Sequence, residues 1–361
     1  MKVLVIHASA GAGHQKAAEA LYDGIRKSSL HEAVLVDALD YTSVFFKKFY
    51  RQTYLFLISG IPWLWGFFFR ILDIPWLGPL MQPARRLYNV VNAKRLGEFL
   101  EQEAFDYILS THFLPSDVAC ALKRSGRIRS RLITVVTDFD VHQFWLGAGA
   151  DVYAVASDWT KQKLQGLGVE ASRIVVSGIP THENFFLPKD RGQLKKRIGL
   201  QEDMFTVLMA TGSFGIGPIE EIIHALKGVQ IIVVCGHNQS LFRRLSGKKD
   251  DWVKVMGLVD NMHELMAVSD VMLTKPGGLS IAEALVSQLP LIFFNPIPGQ
   301  EAKNVRILRE HGIGASPADI SGIVEELKKL QSSRDLYLTT LKRTRELARP
   351  SAVRDILALI S

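Results

Sequence analysis

The sequence predicts an α/β protein of two doubly wound domains, each built on a parallel sheet. Three observations predict it. A chain of 361 residues exceeds what one hydrophobic core usually serves. Short β-branched runs alternate with helical patterns almost throughout, which implies parallel strands joined by right-handed crossovers. Several of those runs are apolar with hardly any alternation, as strands covered on both faces must be. At 48% apolar and 22% charged residues, the composition is that of a globular protein rather than a disordered or fibrous one.

In order along the chain, strands are expected at 3–8, 33–37, 107–111, 132–137, 152–155 and 174–177. A second set is expected at 206–211, 230–235, 253–256, 271–274 and 291–294. Between the sets lies GIPTHENFFLPKDRGQ, rich in turn formers and read as a linker. The expected domains are therefore 1–178 and 179–345. The tail reads helical up to Pro350 and resumes as SAVRDILALI, so 346–361 is expected as a last helix packing back on the first domain. The opening VLVIHA is a first strand, without the charged, apolar, small order of a signal peptide. Cys120 and Cys235 sit in apolar surroundings without C-x-x-C spacing. They read as reduced core thiols, and a cytoplasmic location follows as the expectation.

Two glycine turns stand out. The first, SAGAGH, joins a strand to a helix, a shape that presents backbone N–H groups at a helix N-terminus to phosphate or sugar. Counted from Gly11 and Gly13, the last position of a dinucleotide fingerprint is Lys16, which does not fit, even though Asp37 imitates the ribose-binding acid. No G-K-[ST] follows, so a Walker loop fails as well. His14 would stand at the helix start, where the dipole disfavours its charged form; a neutral histidine near pH 7 is a competent general base. On the residues alone, a histidine that merely caps the loop is the alternative.

The second turn, KPGGLSIAEAL, brings Gly277 and Gly278 close to a ligand and starts a helix at Leu279, with Glu283 on its first turns. There a carboxylate accepts both hydroxyls of a ribose while helix-start amides hold a diphosphate. A solvated glutamate after a tight turn is the alternative. Context comes from TGSFGIG, which offers Gly212, Ser213 and Phe214 after another strand. FFNPIPGQEAKN adds Gln300, Glu301 and Asn304, suited to sugar hydroxyls.

Taken together, SAGAGHQKAAEAL, TDFDVHQFW, VASDWTKQKLQGLGVEASRIVVSGIP, TGSFGIG, VVCGHNQSL, GLVDNMHELMAVSDVMLTKPGGLSIAEAL and NPIPGQEAKN resemble the glycosyltransferase family of monogalactosyldiacylglycerol synthases and processive diacylglycerol glucosyltransferases. More distantly they resemble MurG. The stretches run from about residue 5 to about 305, and their order and spacing are specific. The resemblance implies a GT-B fold, two Rossmann-like domains facing across a cleft, and inverting transfer of a hexose from a UDP-sugar to diacylglycerol with no other cofactor. It implies that Glu283 takes the ribose, that Gly277, Gly278 and Ser213 lie near the diphosphate, and that Gln300 and Glu301 lie near the donor sugar. It places the first glycine turn, Gly13 included, in the acceptor domain with His14 as base, and gives Asp138 and His142 an orienting role. Asp138 and Asp140 spell D-x-D, a metal signature of another architecture, and no metal site is expected.

Between Tyr41 and Gly97 stand Lys47, Lys48, Arg51, Arg70, Arg85, Arg86, Lys94 and Arg95 against one acid, Asp73. That segment holds +7, the net charge of the whole chain. Its charge-free run from Gln52 to Phe69 is interrupted by Pro62 and falls short of the ~20 apolar residues of a spanning helix. Interfacial docking on an anionic membrane is expected instead, with Trp63, Trp65 and Trp76 at headgroup level. An internal helix contact or a homodimer face is the alternative. No nucleic-acid module accompanies the patch, so the expected state is peripheral, on the cytoplasmic face of a membrane. Competing readings are transfer to another lipid-linked acceptor, as in MurG, and a UDP-sugar binder without turnover. A UDP-sugar epimerase shares the fold but has no need of the basic aromatic segment.

Overall fold

Each apolar run expected to be a strand forms one in the computed structural model, usually ending a residue or two earlier. The structure describes residues 1–360 apart from Ala10, Leu30, 74–76, Ala148, Ser213, Phe214, Ile216 and Lys249. Only the backbone is described for Arg51, Tyr54, Leu55, Ile58, Ser59, Phe68, Leu72, 77–83 and Arg86. The chain divides into two units. The first comprises Met1–His182, Ile297–Gln300 and Arg349–Ser361; the second comprises Glu183–Pro296 and Glu301–Ala348.

The first unit holds β1 (Lys2–His7), β2 (Glu32–Asp37), β3 (Tyr107–Ser110), β4 (Arg131–Val135), β5 (Val152–Val155) and β6 (Ile174–Val176), all parallel, in the order β2-β1-β3-β4-β5-β6. Its helices are α1 (Ala12–Ser28), α2 (Val44–Gly60), α3 (Pro62–Leu72), α4 (Leu77–Asn92), α5 (Lys94–Glu103), α6 (Phe113–Arg124) and α7 (Asp158–Gly166). Leu4, Ile6, Ile108 and Leu132 are fully buried on one side of the sheet, and Val5, Leu109 and Ile133 on the other. Each such side chain contributes about 1.5–3 kcal/mol by leaving water. Ile356 and Ile360 complete the second cluster with Leu21 and Ile25 of α1. The last helix of the chain (Ala352–Leu357) lies so close to α1 that a Cβ on Gly24 would meet Val353 Cγ1 at 2.5 Å.

The second unit holds β7 (Thr206–Ala210), β8 (Gln230–Val234), β9 (Val253–Met256), β10 (Val271–Thr274) and β11 (Leu291–Phe293), in the order β11-β10-β7-β8-β9. Its helices are α8 (Arg191–Ile198), α9 (Ile219–Ala225), α10 (Gln239–Ser246), α11 (Met262–Val268), α12 (Gly278–Val286), α13 (Gln300–Glu310), α14 (Ile320–Ser332) and α15 (Arg334–Leu347), and α16 is the Ala352–Leu357 helix of the first unit.

These orders locate the sites. In an open α/β sheet, ligands bind beyond the carboxyl ends of the strands where the strand order reverses. In the first sheet that point lies between β1 and β3; the loop leaving β1 leads into the first turn of α1, which carries His14, and the loop leaving β3 carries the pair Thr111–His112. In the second it lies between β7 and β10, and the loops leaving them are TGSFGIG and KPGG.

The basic aromatic segment is three helices, α2 to α4. Ile61 breaks the first from the second, and Pro62 opens α3 at the position where its missing N–H costs nothing. No helix among the described residues is long and apolar enough to cross a membrane.

Candidate active site

Parallel pairing of Ile6 with Ser110 sets the next residues of β1 and β3 side by side, with Thr111 N donating to Ile6 O at 3.0 Å. Thr111 then holds His14 twice. Its hydroxyl donates to the His14 carbonyl at 2.8 Å, and its own carbonyl lies 2.8 Å from His14 Nδ1. Thr137, just past β4, places Oγ1 2.8 Å from the same nitrogen. A carbonyl only accepts, so Nδ1 carries the proton and the lone pair sits on Nε2. Burial pushes the imidazole pKa down to about 4, with the Thr111 carbonyl pulling it partly back up. The sequence pointed to the helix dipole as the force that keeps this ring neutral. In the structure burial dominates.

Rings surround it. His112 meets His14 edge-on with centroids 4.7 Å apart, and Trp145 lies 6.1 Å away. Neither they nor the two threonines stood out in the sequence. The signal that would have found them is position: His112 and Thr137 each follow a strand at its carboxyl end, and Trp145 closes the stretch TDFDVHQFW.

Asp138 and His142 are buried. His142 uses both ring nitrogens: Nδ1 accepts from Phe144 N at 3.0 Å, and Nε2 donates to Phe69 O at 3.1 Å. Gln143 donates to the carboxylate and carbonyl of Asp73 at 3.2 and 2.9 Å, so this stretch clamps the end of α3. Through Phe144, Phe113 and His112, a chain of ring contacts joins His142 to His14. Of the D-x-D pair, Asp140 accepts from Lys163 Nζ at 2.5 Å. Among the described residues no group of three or more His, Cys, Asp or Glu gathers as metal ligands would.

In the second unit, Gly277 caps α12 and Gly278 is its first residue, buried, with Leu279 next and Glu283 half-buried on the second turn. Asn304 is fully buried and donates to Pro276 O at 3.0 Å, so it pins the turn rather than facing a sugar. Lys275, which also went unnoticed in the sequence, has its pKa lowered by burial and partly restored by Glu301. Gln300, the last residue of the 297–300 stretch of the first unit, and Glu301, which resumes the second, open α13, both half-buried. Gly212 adopts φ +71, a left-handed turn that favours glycine. The loop it begins is held by Asn238, whose Nδ2 donates to Gly215 O at 3.0 Å. Ser213 and Phe214 lie outside the described residues.

Gly11 and Gly277 share a feature. Neither has a backbone angle that needs glycine (φ −156 and −70), and a Cβ on either would meet nothing within 4 Å. Neither helix has a side-chain cap. What glycine leaves at both places is open room before helix-start amides, as an oxyanion or a hydroxyl requires.

On the docking segment the structure sorts the candidates. Trp63 is 70% exposed and Phe45 79% exposed, with Lys48, Phe49 and Phe56 exposed beside them on α2 and Phe67 on α3. Leu87, Tyr88 and Val91 are exposed on α4. Trp65 instead is half-buried, its ring 5.9 Å from Phe69. Trp76 and the Arg51 side chain lie outside the described residues. Not all of the +7 is presented. Lys47 pairs with Asp40 and Asp37, and Arg85 forms a two-pronged pair with buried Asp117 at 3.0 Å; all three acids lie outside the 41–97 segment.

The profile of the monogalactosyldiacylglycerol (MGDG) synthase family matches residues 14–181, beginning at His14, and that of the glycosyltransferase family 28 C-terminal domain matches residues 218–348. A processive diacylglycerol beta-glucosyltransferase of Bacillus pumilus (strain SAFR-032) is 30% identical over 322 residues, covering 86% of this chain and 82% of the relative. The chain belongs to this family of glycosyltransferases. A relative of the same description in Bacillus cereus (strain AH187) is 29% identical over 359 residues, with 94% and 88% covered. Among solved structures, Acinetobacter baumannii MurG superposes with a TM-score of 0.63 at 15% identity, covering 100% of this chain and 99% of that one. S. aureus MnaA with UDP gives 0.66 at 14%, covering 100% and 96%. At such identities the likeness speaks for the fold, which is GT-B.

Proposed function

We propose that this chain is an inverting glycosyltransferase that moves a hexose from a UDP-sugar to diacylglycerol, attached peripherally to the cytoplasmic face of an anionic membrane. The observation that carries the reading is the locked tautomer of His14 within a family of diacylglycerol glycosyltransferases. Its Nε2 takes the proton of the acceptor hydroxyl as that oxygen bonds to the anomeric carbon and the bond from that carbon to UDP breaks. A conjugate acid near pH 4 makes a weak base. The proton therefore moves with bond formation, when the hydroxyl has become acidic, rather than before it. UDP leaves with its charge facing the amides at the start of α12, while Glu283 holds the ribose and Gln300 and Glu301 face the sugar. His142 positions the end of α3 through its bond to Phe69 O, and buried Asp138 orients the base or the acceptor.

The exposed aromatic residues of α2 and α3, with Lys48, Lys94 and Arg95, suit an interface of apolar chains and anionic headgroups. Sedimentation with vesicles tests this docking. Binding to anionic vesicles should weaken with salt and with Lys48→Glu, Lys94→Glu and Arg95→Glu together, while UDP affinity holds. Equal binding to neutral and anionic vesicles would remove the electrostatic part.

Turnover is tested with labelled UDP-glucose, UDP-galactose and UDP-glucuronate over diacylglycerol vesicles. The expected result is a labelled glycolipid from at least one donor. Product on a lipid-linked acceptor alone would put the chain with MurG in its chemistry. UDP-sugar binding without product on any acceptor would make it a binder.

A further inference from the structure

We propose that His112 is a positioning residue for the base: its ring is the wall against which the His14 imidazole stands edge-on. This rests on His14 being the base. His112 follows Thr111, the residue that holds His14 by both backbone and ring, so wall and clamp move as one piece. The ring is 2% exposed and lies 4.7 Å from His14 at an interplanar angle of 84°. Phe113 backs it at 4.2 Å, and Tyr50 of α2 stands 6.5 Å away, edge-on.

His112 has a second task that must be separated from the first. Its Nδ1 accepts from Leu114 N at 3.1 Å, capping α6. That bond fixes the neutral tautomer with the proton on Nε2. Burial, then His14 and then His7, hold its pKa well below the usual histidine value. Among the described residues, the ionisable groups facing the pair are His7 from the end of β1 and Tyr50 from α2. His7 is itself faced by Asp37, Glu19, Asp40 and Lys47. With His14 and His112 both neutral, the wall shelters the base from water without adding charge.

Two substitutions divide the tasks. His112→Asn keeps a side-chain acceptor for the cap and removes the wall; His112→Phe keeps a wall and removes the cap. For His112→Asn we expect a near-native melting temperature, unchanged UDP affinity and turnover lower by about tenfold or more. The acid limb of its kcat/KM profile should move to higher pH, because a wetter imidazole charges more readily. For His112→Phe we expect a lower melting temperature with the acid limb in place. The proposal is overturned if His112→Asn leaves the acid limb where it was, or if both variants lose rate only in step with melting temperature. His14→Ala serves as the reference. If it turns over at the native rate, the base reading fails and this proposal with it; if it is inactive while the acid limb of His112→Asn stays put, only the wall fails.

Discussion

The turn at 9–14 and the turn at 275–279 both carry a strand into a helix capped by glycine, yet only the first delivers a titratable ring. Around His14 the protein supplies two hydroxyl-bearing residues, a locked tautomer and aromatic walls. Around Gly277 it supplies amides, a half-buried lysine balanced by Glu301, and an asparagine that pins the loop. On the proposed function, one turn serves to move a proton and the other to hold charge. Each sits where the strand order of its own sheet reverses, so the same architecture is fitted with two chemistries.

That contrast breaks most visibly at His14. His14→Ala should lower turnover by about 10²–10⁴-fold and leave UDP affinity unchanged by calorimetry. Native turnover would strip the first turn of its catalytic role and make the two turns alike.

Glu283 tests the other side. Glu283→Ala should weaken UDP binding by about 1.5–3 kcal/mol, the worth of a hydrogen bond to a charged group, with turnover at saturating donor nearly kept. Unchanged UDP affinity would take Glu283 out of the donor site. A loss of turnover without loss of affinity would mean that the second turn does chemistry as well.

Much of this was legible in the sequence because it is local. Buried strands announce themselves as apolar runs, and both glycine turns follow such runs directly. The partners were not legible. Thr111 and Thr137 lie 97 and 123 residues from His14, and Asp117 lies 32 from Arg85, so no local pattern records them. For the same reason the sequence credited the docking segment with charges that Lys47 and Arg85 give to acids elsewhere. Composition marked the aromatic residues of α2 and α3 as a group. It did not say that Trp63 would face outward and Trp65 inward.

A smaller effect sharpens the contrast through pH. The His14 pKa is about 4 in the folded protein and about 6.5 in the unfolded chain. Between those values the unfolded state binds the extra proton, so stability falls as pH drops from about 6.5 to about 4 and is flat above. The gap limits the contribution to about 3 kcal/mol, and His14 keeps some exposure, so the effect falls below that. His7 and His112, also lowered by burial, act in the same direction. Urea denaturation at pH 7 and pH 5 should show a shallower loss for His14→Gln than for the native chain. If the two lose the same stability, His14 is not held neutral by burial.

The smallest expected effect on stability comes from the glycines themselves, and it separates room for a ligand from demands of the fold. Gly11→Ala and Gly277→Ala place a methyl group where the backbone angles permit it and no atom of the chain stands within 4 Å. Alanine restricts the unfolded chain, which favours folding by about 0.4–1 kcal/mol. It is a poorer helix cap than glycine by a similar amount. The two effects oppose, so each melting temperature should stay within a few degrees of native, as about 1 kcal/mol implies for domains of this size. Ligand binding should divide the pair. Gly277→Ala crowds the amides proposed to hold the diphosphate and should weaken UDP binding, while Gly11→Ala should leave UDP affinity alone and lower turnover by raising KM for the acceptor. If Gly277→Ala binds UDP as the native chain does, the open room before α12 is not where the diphosphate lies. If Gly11→Ala weakens UDP binding instead, the assignment of donor and acceptor to the two turns is reversed.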